Sequence, residues 1–152
     1  MNSNSIISSV VAQLHRTFPA RSIYISLCPK DFTRPCFLVQ MTDYQSVPAD
    51  AVSNKCTVTV DIICFDEIDA YGNTDMLKQL LTQSAVQELF TALALTVEDR
   101  VLTVSAVQGG RDFEAATITM RMEFFSPRPK TQSLAPTAAG FKVTLRNSRL
   151  TP

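Results

Sequence analysis

The sequence has a single histidine, no net charge, and four cysteines that nowhere form a C-x-x-C pair. Nucleophilic catalysis of the serine or cysteine kind needs a base within hydrogen-bond reach, usually histidine. His15 is the lone candidate, and it sits beside Arg16 off the apolar stripe of its segment, as a solvated helix residue would. Structural zinc sites draw on close-set Cys or Cys/His pairs, which Cys28, Cys36, Cys56 and Cys64 do not supply. They read as small, half-buried apolar residues of a reduced protein, with a disulfide between adjacent strands still geometrically open. No apolar run approaches the ~20 residues of a membrane-spanning helix. The start, MNSNSIISSVV, lacks the basic region of a secretory signal. A cytoplasmic, single-domain protein is the expectation for these 152 residues.

The zero charge is uneven along the chain. Residues 1–125 carry nine cations and all 14 acids, a balance of −5, and residues 126–152 carry five cations and no acid, +5. Counterion release from nucleic acid needs cations clustered on a presented face, so an acidic body argues against a specific nucleic-acid binder. Asp66, Glu67 and Asp69 lack the register of an EF-hand loop and read as a solvated acidic loop. Gly109-Gly110 falls between two strand-like runs, so a hairpin turn is expected there rather than a phosphate loop. No active site, cofactor or metal site is encoded, and a binding or structural role gains by elimination.

What is present is clear periodicity. Ile6, Ile7, Val10, Val11, Leu14 and Phe18 recur at helical steps, with cap candidates at Asn2, Ser3 and Asn4 and a stop at Pro19, predicting a helix over about 4–17. Short strands follow at Ile23–Leu27 and Cys36–Met41, the latter apolar on both faces as in a covered central strand. TDYQSVPADAVSN reads as a broad loop or an extended hairpin tip. Lys55–Phe65 alternates: Cys56, Val58, Val60, Ile62 and Cys64 point one way, and Lys55, Thr57, Thr59 and Asp61 the other. A second helix is predicted over about 74–93, with Leu77, Leu80, Leu81, Leu89 and Leu93 toward the core and a weak spot at Thr82-Gln83-Ser84. Val101–Val107 and Phe113–Phe125 complete the set as strands. The order α-β-β-β-α-β-β implies an α+β, two-layer fold: a mostly antiparallel sheet covered on one side by two helices.

Residues 126–152 break with this body. They hold four of the eight prolines, and too few apolar residues for a core of their own, so they are expected to extend as a basic arm. Phe141-Lys142-Val143-Thr144-Leu145-Arg146 alternates like a strand in need of a partner edge. The expected domains are thus 1–125 and the arm 126–152.

Several segments together carry a family resemblance. The opening helix has an I…V…L…FP pattern (Ile6, Val10, Leu14, Phe18, Pro19), and the strand Ile23-Tyr24-Ile25 follows. Pro35-Cys36-Phe37-Leu38-Val39-Gln40 gives a PCF-apolar-apolar-Q strand, and Val58–Phe65 a strand ending in an aromatic. Ile118–Phe125 closes with an F-x-V-x-Y-x-F-F-like strand. Over about residues 4–125 the chain resembles the phage tail terminator family of Firmicute phages and defective prophages, although its closing strand has less tyrosine and its basic tail is longer. The resemblance implies a non-enzymatic virion protein of the tail or neck, assembled in the host cytoplasm. It further implies a ring, six-membered in related phages, that caps the tail tube, stops its polymerisation and faces the head-side connector. The partners so implied are further copies of the chain, the tail tube protein, the head-tail connector protein and, in a contractile tail, the sheath protein.

Heterologous contacts close into rings when the rotation per step permits. Candidate contact residues are Lys55 and Asp61 on the wet strand face and Arg100, Arg111 and Asp112 at strand ends. On the arm they are Phe141, Lys142, Val143, Thr144, Leu145 and Arg146, expected to lie against a strand edge of the sheath ring or of an acidic neighbouring subunit. The competing readings are a head-completion or connector protein, which would leave tails of normal length without heads, and a small ligand-binding or catalytic domain with a concave polar pocket.

Overall fold

The computed structural model describes residues 2–91, 94–112 and 114–129. Asn2 opens the first element, its Oδ1 accepting from the Ser5 amide at 2.9 Å as the N-cap of α1 (Ser3–Thr17). Ile6, Ile7, Val10 and Leu14 are buried on one stripe of this helix, and the Phe18 amide closes it on the Leu14 carbonyl at 2.8 Å. The strands are β1 (Ser22–Ile25), β2 (Cys36–Pro48), β3 (Ser53–Phe65), β4 (Leu95–Val97), β5 (Arg100–Arg111) and β6 (Ala116–Pro127), with α2 (Met76–Thr91) between β3 and β4. They form one six-stranded sheet in the order β1-β2-β3-β6-β5-β4, antiparallel except for the β1–β2 pair.

The α+β plan therefore stands, with one strand more than the periodicity predicts. β4 has three residues, too few for alternation to register, and becomes a strand by pairing with β5 across the Glu98–Asp99 turn. The polar stretch after Met41 is an extended hairpin: β2 and β3 pair from Cys36↔Phe65 out to Pro48↔Asn54. A bulge between Met41 and Asp43 shifts the side-chain phase of β2, so that Tyr44 comes opposite Val58 and its ring lies 6.4 Å from that of Phe124.

One face of β3 (Cys56, Val58, Val60, Ile62, Cys64) and the paired face of β6 (Ala116, Ile118, Met120, Met122, Phe124) are buried under the helices. Phe37, Val39, Val86, Phe90, Leu95 and Leu102 join them in a single core. α1 touches both β2 and β4, which are four strands apart, so the sheet curls around it, while α2 lies over β3, β5 and β6.

Two expectations fail where α2 lies over the sheet. Gly109-Gly110 is not a turn; β5 runs through both residues to Arg111, and the turn is made at Asp112, whose amide donates to the Ala115 carbonyl at 2.9 Å. A Cβ on Gly109 would sit 2.6 Å from Gln83 Nε2 and 2.9 Å from Gln87 Nε2, so glycine leaves room for these two side-chain amides of α2 over the strand. The leucines of α2, expected inside, are mostly outside: Leu77, Leu80 and Leu81 are exposed, Leu89 is half-buried, and the inward stripe is Gln79, Thr82, Val86 and Phe90. Leu93 and Phe113 lie outside the described residues.

The two glycines make a controlled pair, since a Cβ on Gly110 would meet nothing within 4 Å. Gly109→Val, which displaces the Gln83 amide from the Gly110 carbonyl, is expected to cost about 1 kcal/mol, whereas Gly110→Val stays within about 0.5 kcal/mol of the parent. Equilibrium urea unfolding of the two variants checks the contrast.

Candidate interaction surfaces

The body residues singled out by sequence do not converge on one spot. Lys55 and Asp61 lie on the outer face of β3, away from the helices. Lys55 Nζ pairs with Glu123 Oε1 at 2.8 Å, and Asp61 Oδ1 accepts from Thr119 Oγ1 at 2.8 Å. The hydrogen bond from Lys55 is the main cause of a lowered Glu123 pKa. Arg100 sits at the same end of the sheet as Lys55 and donates to the Phe125 carbonyl. Arg111 and Asp112 are at the opposite end. Arg111 Nη1 reaches Gln79 Oε1 of α2 at 3.4 Å, and Asp112 Oδ1 accepts from the Ala115 and Glu114 amides, which lowers its pKa. Three of these five groups thus share the bare sheet face or its edge, and two brace the end where α2 begins. Phe141, Lys142, Val143, Thr144, Leu145 and Arg146 lie outside the described residues.

A polar centre that sequence reading placed in solvent is in fact interior. Asp66, expected in a solvated loop, is 2% exposed. Its Oδ1 takes Arg21 Nη2 at 2.5 Å and Thr82 Oγ1 at 2.9 Å. The Arg21 guanidinium lies 5.0 Å from the Phe37 ring centroid, and Arg34 donates to the Asp66 carbonyl at 3.1 Å. Satisfaction is incomplete: Arg21 Nη1, Asp66 Oδ2 and Gln79 Nε2 are buried without partners in the described structure. No spacing in the sequence marks this pair, because Arg21 and Asp66 meet only when β1, β2 and the end of β3 are aligned.

Arg21, Asp66 and Thr82 line a cleft together with Pro35, Glu67, Lys78 and Leu81. Beside it, α2 presents Met76, Leu77, Leu80 and Leu81 outward, the second and fourth 69% and 70% exposed. These four side chains form an apolar stripe on a helix already packed by its other face. A second apolar group, Val47, Val101 and Phe125, is exposed at the far end of the sheet near Lys55 and Arg100.

The four thiols are free. Burial pushes the Cys36 pKa up to about 11, with Cys28 adding to the shift, and that of Cys64 up to about 12, with Asp66 adding to it. Such thiols stay protonated and inert near neutral pH. Among the described residues no group of three or more His, Cys, Asp or Glu is placed to hold a metal ion, and no helix is long and apolar enough to cross a membrane.

Two measurements check this description. At pH 8, iodoacetamide is expected to label half-buried Cys28 of the native protein well before buried Cys36, Cys56 and Cys64, as read by peptide mass spectrometry. Asp66→Ala, which strands the Arg21 charge, is expected to cost about 3 kcal/mol. The joint replacement Arg21→Met with Asp66→Leu costs less, and chemical denaturation of both variants reads the difference.

No curated protein matches the chain. Of the solved chains that match, one superposes with a TM-score of 0.45 at 12% identity, over 87% of this chain and 99% of that one, a likeness too distant to carry an argument. The family model described as phage tail terminator protein matches residues 5–133, which takes in α1, the whole sheet and α2. The chain belongs to the phage tail terminator family, and is a structural component of a phage tail that meets other tail components.

Proposed function

We propose that this protein closes a phage tail tube as a ring of identical subunits, ending tube polymerisation and offering the head-side connector its docking surface. The observation that carries the reading is the family match across residues 5–133. The surface geometry supports it. A ring needs two different patches on each subunit, one to give and one to receive. The fold has a bare sheet face carrying Lys55, Asp61 and Arg100, and an outward apolar stripe on the helix layer. Six subunits is the number the family resemblance suggests, and a sheath ring is a further partner if the tail contracts.

Residues beyond the body fit a role between chains. Ser126 and Pro127 still pair with β3, and Arg128 is tied to the hairpin tip through the Val52 and Asp50 carbonyls at 2.8 and 2.9 Å, so residues 126–128 are held on the body. Attraction between five cations in residues 126–152 and an acidic body on the next subunit would be salt-sensitive, since screening lengths fall from ~8 Å at physiological ionic strength to ~3 Å at 1 M.

The test is the mass of the protein alone and with its tube protein, by sedimentation or native mass spectrometry. A closed ring on tube ends, and tubes of defined length in its presence, are expected. Tubes that grow without limit in its presence, or tails of normal length lacking heads when the protein is deleted, would overturn the terminator assignment in favour of a connector.

A further inference from the structure

The outward stripe of α2 has a neighbourhood that selects its occupant. Residues 66–78, which lead into and begin the helix, hold Asp66, Glu67, Asp69 and Asp75 against a single cation, Lys78, which pairs with Glu67 at 3.3 Å. Backbone amides donate to the Asp69 and Asp75 carboxylates: Tyr71 and Asn73 to Asp69 Oδ1 at 2.8 and 2.9 Å, and Leu77 to Asp75 Oδ1 at 3.0 Å. Those bonds fix both negative charges beside Met76, Leu77, Leu80 and Leu81. Three further cations stand near this end and each is engaged: Arg21 pairs with Asp66 at 2.5 Å, Arg111 reaches Gln79 at 3.4 Å, and Arg34 is turned onto the Phe32 and Phe65 rings at 5.0 and 5.3 Å. The surface is thus apolar along the helix and anionic at its rim, and its cleft ends in the Asp66 carboxylate with Oδ2 unpaired.

The complement is in the same sequence. Phe141, Val143 and Leu145 alternate with Lys142, Thr144 and Arg146, giving an apolar row and a cationic row with no acid anywhere in residues 126–152. The open edge of β5, the obvious strand-type alternative, is a poorer host. Residues 103–110 carry no anion to face the cations of the segment, whereas residues 66–78 carry four.

Reach decides which copy is involved. The described chain leaves the body at the hairpin-tip end, where Arg128 is held by Asp50 and Val52, whereas the stripe and its cleft lie at the opposite end, beside Asp66 and Pro35. Travelling back along β6, Ala116–Pro127, means about 37 Å at ~3.4 Å per residue. The linker from Pro129 to Phe141 spans at most ~40 Å fully extended, which leaves almost nothing for passing round the sheet to the helix layer. A neighbour set head-to-tail brings its stripe to the hairpin-tip end instead.

We infer that the Met76–Leu81 stripe, with the Arg21–Asp66 cleft beside it, is the receiving surface for residues 141–146 of a second copy of this chain. This rests on the ring reading above and names the contact that links neighbouring subunits. Phe141, Val143 and Leu145 cover the leucines, and Lys142 and Arg146, on the other face of the segment, stay in solvent near the rim charges of Glu67, Asp69 and Asp75.

The experiment uses the full chain with photoreactive p-benzoylphenylalanine in place of exposed Leu81, light and heavy-isotope copies mixed in equal amounts, and assembly on the tube protein. Cross-linked peptides containing residues 141–146, half of them joining light to heavy, are expected. The full-length variant carrying Leu77→Glu and Leu81→Glu should weaken subunit association about tenfold or more, as lost apolar anchors do. Adding Phe141→Ser to it should cause no further loss. Cross-links from 81 to a light or heavy partner of its own kind alone place the segment back on its own chain and overturn the inference. Cross-links to body peptides, or none in assembled rings, also overturn it while leaving the ring intact. Failure to form any ring overturns the ring reading and this inference together.

Discussion

β3 is hydrogen-bonded along its whole length on both sides, to β2 from Cys36↔Phe65 to Pro48↔Asn54 and to β6 from Cys64↔Ala116 to Ser53↔Pro127. A strand pinned on both edges cannot slip by one residue without turning its entire inward file to solvent. That file, Cys56-Val58-Val60-Ile62-Cys64, lies in the middle of the core, so the register of β3 settles which face the helices cover and which stays bare. The outward file of Lys55, Thr57, Thr59 and Asp61 follows from the same constraint, and it is completed by polar partners on β6, Thr119 and Glu123. The long hairpin beyond the core is an extension of this pairing, with the bulge after Met41 adjusting β2 so that Tyr44 can meet Phe124.

α2 shows what the sheet demands of its cover. At its C-terminal half the helix meets apolar strand positions and gives Val86 and Phe90 to the core. At its N-terminal half it meets Asp66, the Gly110 carbonyl and Arg111, and there it must turn Gln79, Thr82 and Gln83 inward. A buried carboxylate is tolerable only with partners, which Arg21 and Thr82 supply. The apolar side chains of those first turns are consequently left outside. An exposed apolar stripe is thereby left on the helix layer of a protein that meets other tail components.

The charge pattern belongs to the same logic. The helix-side rim collects acids on loop 66–75, the bare sheet end carries Lys55 and Arg100, and the cations beyond Phe125 have no acids in their own segment. The one segment where acids outnumber cations most is the loop 66–75, and the one segment with cations alone is residues 126–152.

Much of this was legible in the residues alone. Periodicity of 3.6 marked α1 from Ile6 to Leu14, and strict alternation marked β3 and β6, because burial on one side imposes those periods wherever the chain is regular. The PCF strand and its neighbours carried the family resemblance that the match over residues 5–133 bears out. In α2 the sequence offered two stripes of helical spacing, Leu77-Leu80-Leu81 and Gln79-Thr82-Val86-Phe90, and hydrophobicity favoured the first. The fold chose the second, since what a helix buries depends on what the sheet beneath it offers, and that surface is assembled from strands distant in sequence. The Arg21–Asp66 pair, the three-residue β4 and the close approach at Gly109 were hidden for the same reason. Local pattern determined the elements and the core file of β3; only long-range packing decided which side chains of α2 were buried and which were left exposed.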